Sequence, residues 1–333
     1  MKKKSKNNYQ SLFFRSCPLL CMLFFLGLST TSTFSQGLAG TCWKNAFGSN
    51  ARITSHKLTT GEFRGTYGST TGSAGNYTII GQTPKNPDLN GSFPLTFTIG
   101  WGKINGIPDD ASQYWTSSMS GYYEKNNSGE KILNLLNIIS APGSFEAVKL
   151  LKPGNLPQTQ SFTLVSLEEC NTLKITPPPI LIGDGSATDK EFKNLLLGTW
   201  DFVPNYGTGI ITKIIVKNLV PRGESFSALR YYEVTGSLYL KGTSRTVPFT
   251  GIVGPHLPLV NNGFGFAMSI VGNCWWCSSQ MNFSLSGFTS IGATNKLQMF
   301  LLNSQKNTPA ILRIDANKIS TGELFQKNKN EQQ

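Results

Sequence analysis

From residue 37 to 166 the chain runs as short stretches in which apolar and polar residues alternate. Gly, Asn, Asp, Ser and Pro divide them: AGTCWKNA, ARITSHK, EFRGTYG, NYTIIG, PLTFTIGWG, QYWTSSMSGYY, KILNLLNII, and EAVKLL continued by SFTLV. A period of two residues puts successive side chains on opposite faces of a strand. About eight such strands, closely spaced and separated by turn residues, predict an antiparallel barrel or sandwich. No long stretch of helical period accompanies them. A second series begins at Leu195 with LLGTWDFV and continues through IITKIIVK, ALRYYEVTGSLYLKG, RTVPFTGIV, GFGFAMSIV, MNFSLSGF, KLQMFLLN and PAILRIDA. It again has about eight segments, and it opens on a Gly-Thr-Trp step like the one at the head of the first series. Two self-similar halves predict a duplicated domain. Between them, residues 167–193 hold Pro177-Pro178-Pro179 and the polar run GDGSATDKEFK, which reads as a linker. The expected organisation is therefore a first domain at 37–166, a linker at 167–193, a second domain at 194–326 and a disordered tail at 327–333.

Residues 1–35 change the reading of the charge. Lys2, Lys3, Lys4, Lys6 and Arg15 precede an apolar core, PLLCMLFFLGL, followed by STTSTFSQ. A basic segment, a short apolar segment and small residues predict a secretory signal peptide cut after Ser35. The apolar run is too short to serve as a stable membrane anchor. Cleavage would leave a secreted or periplasmic protein and lower the formal net charge from +12 by five, to +7. No block of basic residues survives, so no nucleic-acid partner is expected. Of six cysteines, Cys42, Cys170, Cys274 and Cys277 remain in an oxidising compartment, where three disulfide connectivities are open. A local bridge is preferred for Cys274-Trp275-Trp276-Cys277, which lacks the βαβ context of a redox site. The 34 glycines and 14% charged residues suit tight turns and short strands. Only two histidines occur, His56 and His256, far apart in sequence and without a nearby nucleophile and carboxylate. A histidine-rich metal site is excluded, and neither G-x-S-x-G nor H-E-x-x-H is present, so an exported hydrolase has no support and no enzyme is expected.

Five motifs in order carry a resemblance. Trp43-Lys44-Asn45-Ala46-Phe47-Gly48-Ser49 is similar to W-x-N-x-L-G-S, and Gly61 to Ser69 (GEFRGTYGS) to G-x-F-x-G-x-Y-x-S/T. Thr70-Thr71-Gly72-Ser73-Ala74 resembles a mobile loop after a third strand. Phe97-Thr98-Ile99-Gly100-Trp101 resembles F-T-V-x-W, and Ser117 to Gly121 resembles T-T-[WF]-[ST]-G with Met119 at the aromatic position. Together they make the first domain resemble the avidin/streptavidin family. The resemblance implies an all-β fold of two tandem antiparallel up-and-down eight-stranded β-barrels, the second degenerate. It also implies biotin as the ligand, with no further cofactor.

The residue chemistry agrees. A neutral urea-like carbonyl in a dry pocket needs several converging donors, and Asn45, Ser49 and Tyr67 supply an amide, a hydroxyl and a phenol. In the resemblance these three bind the ureido oxygen. Ser69 accepts one ureido N–H, and Gln160 is the best match for the acceptor of the other. Trp101 forms one pocket wall, with Phe47, Thr71 and Met119 beside it, and Ser117 contacts the thioether sulfur. Ser73 belongs to the loop that would close over the ligand's tail. Phe145 stands where the family lends a Trp to a neighbouring subunit. The third tryptophan of the family is replaced by Leu136 or Asn137. In the second domain Phe202, about Tyr206, Leu238, Leu240 and Ile270 stand where Asn45, Ser49, Tyr67, Ser69 and Trp101 stand in the first. That domain is expected to be a structural, pseudo-dimer partner within the chain, with homo-oligomerisation left open. The alternative is a secreted adhesion module that reuses the barrel without a ligand.

Overall fold

In the computed structural model the described residues are 37–333 except 70–74, 102–114, 141–157, 171–186, 205–209, 222–230, 255–256, 259–263, 278–280, 292–295, 306–307 and 319–333. The signal peptide and the tail read from sequence lie outside them. Eight strands make up the first half: β1 (Cys42–Asn45), β2 (Asn50–Lys57), β3 (Glu62–Ser69), β4 (Gly75–Gln82), β5 (Phe93–Trp101), β6 (Trp115–Lys125), β7 (Lys131–Ser140) and β8 (Gln158–Val165). They pair in sequence order and close as an antiparallel barrel, because β1 also pairs with β8, from Cys42↔Val165 to Asn45↔Phe162. The alternation explains the closure. On β5, Phe93, Leu95, Phe97, Ile99 and Trp101 all enter the barrel core, joined by Met119 and Tyr123 from β6 and Leu133 and Leu135 from β7.

One end of this barrel is plugged by the segment before β1. Leu38 is buried in the core, the Thr41 hydroxyl donates to the Leu38 carbonyl at 2.7 Å, and the Trp43 indole N–H donates to Thr41 Oγ1 at 2.8 Å. The Leu38 N–H donates to His56 Nδ1 at 3.0 Å. The proton of His56 therefore sits on Nε2, 3.1 Å from Thr83 Oγ1, whose own hydroxyl donates to the Pro84 carbonyl at 2.9 Å. Protonating Nδ1 would break the contact with Leu38, and burial lowers the His56 pKa. The folded state thus binds fewer protons than the unfolded chain, so this contribution is present above the unfolded histidine pKa of about 6.5 and is lost as pH falls through the lower folded value. The wild type is expected to lose more thermal stability than His56→Gln between pH 7.5 and 5, as scanning calorimetry of both proteins would register.

Two helices follow, α1 (Leu167–Cys170) within the stretch read from sequence as linker and α2 (Ala187–Leu196), which starts in that stretch and runs three residues past its end at 193. A disulfide joins Cys42 at the head of β1 to Cys170 in α1. The second half contains β9 (Gly198–Pro204), β10 (Ile211–Pro221), β11 (Tyr232–Leu240), β12 (Thr246–Val253), β13 (Leu257–Pro258), β14 (Phe264–Cys274), β15 (Met281–Ile291), β16 (Lys296–Gln305) and β17 (Thr308–Lys318). Its nine-stranded antiparallel sheet runs β12-β11-β10-β9-β17-β16-β15-β14-β13. Strands β12 and β14 also pair, from Phe249↔Gly272 to Val253↔Met268, which brings the two flanks of the sheet together. The eight strands expected here are thus joined by a ninth, the two-residue β13. Helix α2 seats Phe192 and Leu196 in the core of this half, where the Trp200 indole donates to the Leu196 carbonyl at 3.0 Å. A second disulfide, Cys274–Cys277, closes the turn that carries Trp275 and Trp276.

The halves pack through strand faces that alternation alone would assign to water. Thr96 and Thr98 of β5 and Thr116, Ser118 and Ser120 of β6 are buried, as are Ser269 and Ser286 opposite. The Ser269 hydroxyl donates to Thr116 Oγ1 at 2.8 Å and lies 2.6 Å from Ser286 Oγ, which is 2.7 Å from Ser118 Oγ. Hydroxyls that satisfy one another can be buried at little cost. Ile80 meets Tyr231 and Ile252 beside them. A Cβ on Gly100 would stand 3.0 Å from Ile252 and 3.1 Å from Tyr231, so glycine allows this approach. At the rim the Arg64 guanidinium forks onto both carboxylate oxygens of Glu233 and also binds Glu62.

Candidate functional site

The site is built first by a turn. Asn45 ends β1, and its Oδ1 accepts the backbone N–H groups of Phe47 at 3.1 Å and Ser49 at 2.9 Å. Gly48 takes the positive φ of 83° that the turn needs. With Oδ1 committed to the backbone, the amide NH2 of Asn45 is the group left to face inward. Tyr67, on the inner face of β3, hydrogen-bonds the side chains of both Ser49 and Asn45. Burial pushes its phenol up to about 12, a rise that those two hydrogen bonds oppose. Tyr67 is therefore neutral at physiological pH and keeps its O–H. Ser69, two residues on, is buried on the same face.

Aromatic rings wall this polar corner. The Tyr67 ring meets Trp101 edge-on at 5.3 Å and Phe162 at 6.3 Å, and Tyr77 tilts against Trp101 at 4.9 Å. Trp101 is 7% exposed, and its indole N–H donates to Ser117 Oγ at 2.7 Å. Ser117 consequently holds the wall in place and still has its own hydroxyl hydrogen to offer. Met119 is buried next on the same face of β6. The set contains no charged group. It can cradle a neutral carbonyl oxygen between an amide, a hydroxyl and a phenol, with rings excluding water around it.

The structure thus brings together Asn45, Ser49, Tyr67, Ser69, Trp101, Ser117 and Met119. Phe47 lies in the β1–β2 turn, 59% exposed, away from the buried set. Gln160 falls in β8 with its backbone opposite Leu135, and its side chain is outside the described residues, as are Thr71, Ser73 and Phe145. Sequence reading passed over Tyr77, although the alternation of NYTIIG puts it on the inner face with Ile79. It also passed over Tyr231 of the second half, whose hydroxyl donates to the carbonyl of Trp101. That contact joins residues 130 apart in sequence, which no local pattern reveals.

Register shows what the second half has at the same places. Trp43, Ala51, Tyr67 and Tyr77 stand opposite one another across β1 to β4. Trp200, Ile214, Leu238 and Val247 do so across β9 to β12. Leu238 and Leu240 hence replace Tyr67 and Ser69, as expected from sequence. The next pairings, Ile79↔Ile99 and Phe249↔Gly272, align Phe97 with Ile270 and Trp101 with Cys274. Ile270 is therefore not the counterpart of Trp101. The local likeness of the two Phe-rich runs misaligned them by four residues, and the strand pairing corrects this. The counterpart of Ser117 is Phe283, opposite Gly272.

The closed antiparallel barrel thus carries neutral donors and aromatic walls together on its inner face. Residues 33–147 match the model of the avidin family. The chain is also similar to solved structures. For a biotin-binding protein from chicken the identity is 18%, covering 40% of this chain and 100% of that one, with a TM-score of 0.28. For xenavidin the identity is 21%, covering 39% and 97%, with a TM-score of 0.27. No curated protein matches the chain. Among the described residues no helix is long and apolar enough to cross a membrane.

Proposed function

We propose that this chain is an exported, non-enzymatic binding protein whose first barrel holds biotin, or a urea like it, without covalent chemistry or a cofactor. The observation that carries the reading is the meeting of Asn45, Ser49 and Tyr67 at one buried point. The avidin-family match over the same segment supports it. In this reading the three donate to the ureido oxygen, while Ser69 and Gln160 accept the ureido N–H groups. Trp101 and Met119 flank the rings, with Phe145 completing the walls; Phe47, exposed in the β1–β2 turn, is not among them. Ser117 turns its free hydrogen to the thioether sulfur, and Thr71 and Ser73 close the loop over the tail. The second half, apolar where the first is polar, acts as a built-in partner that covers the outer face of β5 and β6. Two disulfides accord with an oxidising compartment.

Calorimetric titration of the chain with biotin, paired with a melting curve at roughly 1 mM ligand, tests the proposal. Heat of binding and a raised melting temperature are expected. Their joint absence overturns it.

A further inference from the structure

Tyr231 and Tyr232 stand side by side at the head of β11 and send their rings to different cores. Tyr232 joins the interior of the second half. Tyr231, also buried, packs instead with Ile252 of its own half and with Ile80 on β4 of the first. Its hydroxyl donates to the carbonyl of Trp101, the last residue of β5 and a wall of the candidate site. That end of β5 has lost a neighbour. Strand β4 pairs with β5 from Gln82↔Thr96 to Ile79↔Ile99, so among the described strands β6 alone accompanies Gly100 and Trp101. A buried backbone carbonyl needs a partner, and Tyr231 supplies one where the ladder with β4 stops. Glu233, two residues on, grips Arg64 of β3 at the rim instead.

We infer that Tyr231 is a positioning residue of the first barrel's site, through which the second half sets where Trp101 stands. The chain of contacts is short. The Tyr231 hydroxyl fixes the Trp101 carbonyl, and the backbone there decides where the indole leaves the strand. The indole in turn meets Tyr67 and Tyr77 and donates to Ser117 Oγ at 2.7 Å. A binding group keeps its geometry only when the residues behind it are themselves held. The inference rests on the proposed biotin-type binding and gives the second half a part in it beyond covering β5 and β6. Such coupling is reciprocal: a docked second half that improves the ligand's fit is itself held more tightly once the ligand is bound.

The test compares the full chain, disulfides intact, with Tyr231→Phe, which removes one hydroxyl and keeps the ring, and with Glu233→Gln, which weakens the same interface at Arg64. Hydrogen exchange of the peptide at the end of β5 is followed without ligand, and biotin affinity is measured by calorimetry. Tyr231→Phe is expected to exchange several times faster there and to bind biotin roughly three- to tenfold more weakly. Glu233→Gln should match the wild type in both. In the wild type, which needs no variant to fold, biotin should slow exchange at Tyr231 and Tyr232. Unchanged exchange at the end of β5, or unchanged affinity, in Tyr231→Phe overturns the inference. An equal loss of affinity in Glu233→Gln does so too, because it would make the hydroxyl ordinary support for the interface. So does exchange at Tyr231 and Tyr232 that biotin leaves unaltered. If the wild-type titration shows no biotin binding, the proposed function fails and this inference fails with it.

Discussion

Tyr67→Phe is expected to weaken biotin binding by about 1–3 kcal/mol, roughly 5- to 150-fold, while the barrel stays folded. The substitution removes one oxygen and leaves the ring, so the edge contacts with Trp101 and Phe162 persist. What it takes away is the phenol that joins Ser49 and Asn45 into one group. A ligand carbonyl entering the variant meets one donor fewer, and the Ser49 hydroxyl and Asn45 amide lose the partner that orients them. In a buried corner both losses count, since no water compensates them. Because Asn45 remains pinned by the backbone N–H groups of Phe47 and Ser49, the turn should not move. Calorimetry of the variant checks this, and an unchanged affinity would mean that Tyr67 only packs.

The second large effect is on stability. Replacing both Cys42 and Cys170 by serine is expected to lower the unfolding free energy by about 2–5 kcal/mol. The bridge spans a sequence separation of 128 and ties the first strand to the helix after the last one, so it restrains the two ends of the barrel. Closing a long loop removes much more freedom from the unfolded chain than closing a short one. The Cys274–Cys277 bridge, with a separation of 3, is accordingly expected to matter less. Denaturant titration of the two double variants ranks them. The prediction fails if the Cys274/Cys277 variant is the less stable.

What could be read from sequence follows from what alternation encodes. The barrel strands were legible because Phe93, Leu95, Phe97, Ile99 and Trp101 repeat every second residue and share one core. Asn45, Ser49, Tyr67 and Trp101 were legible because a turn and two strands keep them at fixed spacings in the chain. Helix α2 was not, because ATDKEFKNLL is largely polar and only a few of its residues, Phe192 and Leu196 among them, reach the core. Nor was the interface: Thr96, Thr98, Thr116 and Ser118 have the same period whether water or a second layer of hydroxyls covers them. Strand pairing, not local likeness, was needed to place Cys274 opposite the role of Trp101.

In the proposed function one half of the chain binds a biotin-like urea and the other has given up that pocket. Native mass spectrometry of the full chain in excess biotin counts bound molecules per polypeptide directly. One per chain is the predicted result. Two would contradict the loss of the second pocket through Leu238, Leu240 and Phe283, and none would contradict the binding role of Asn45, Ser49 and Tyr67.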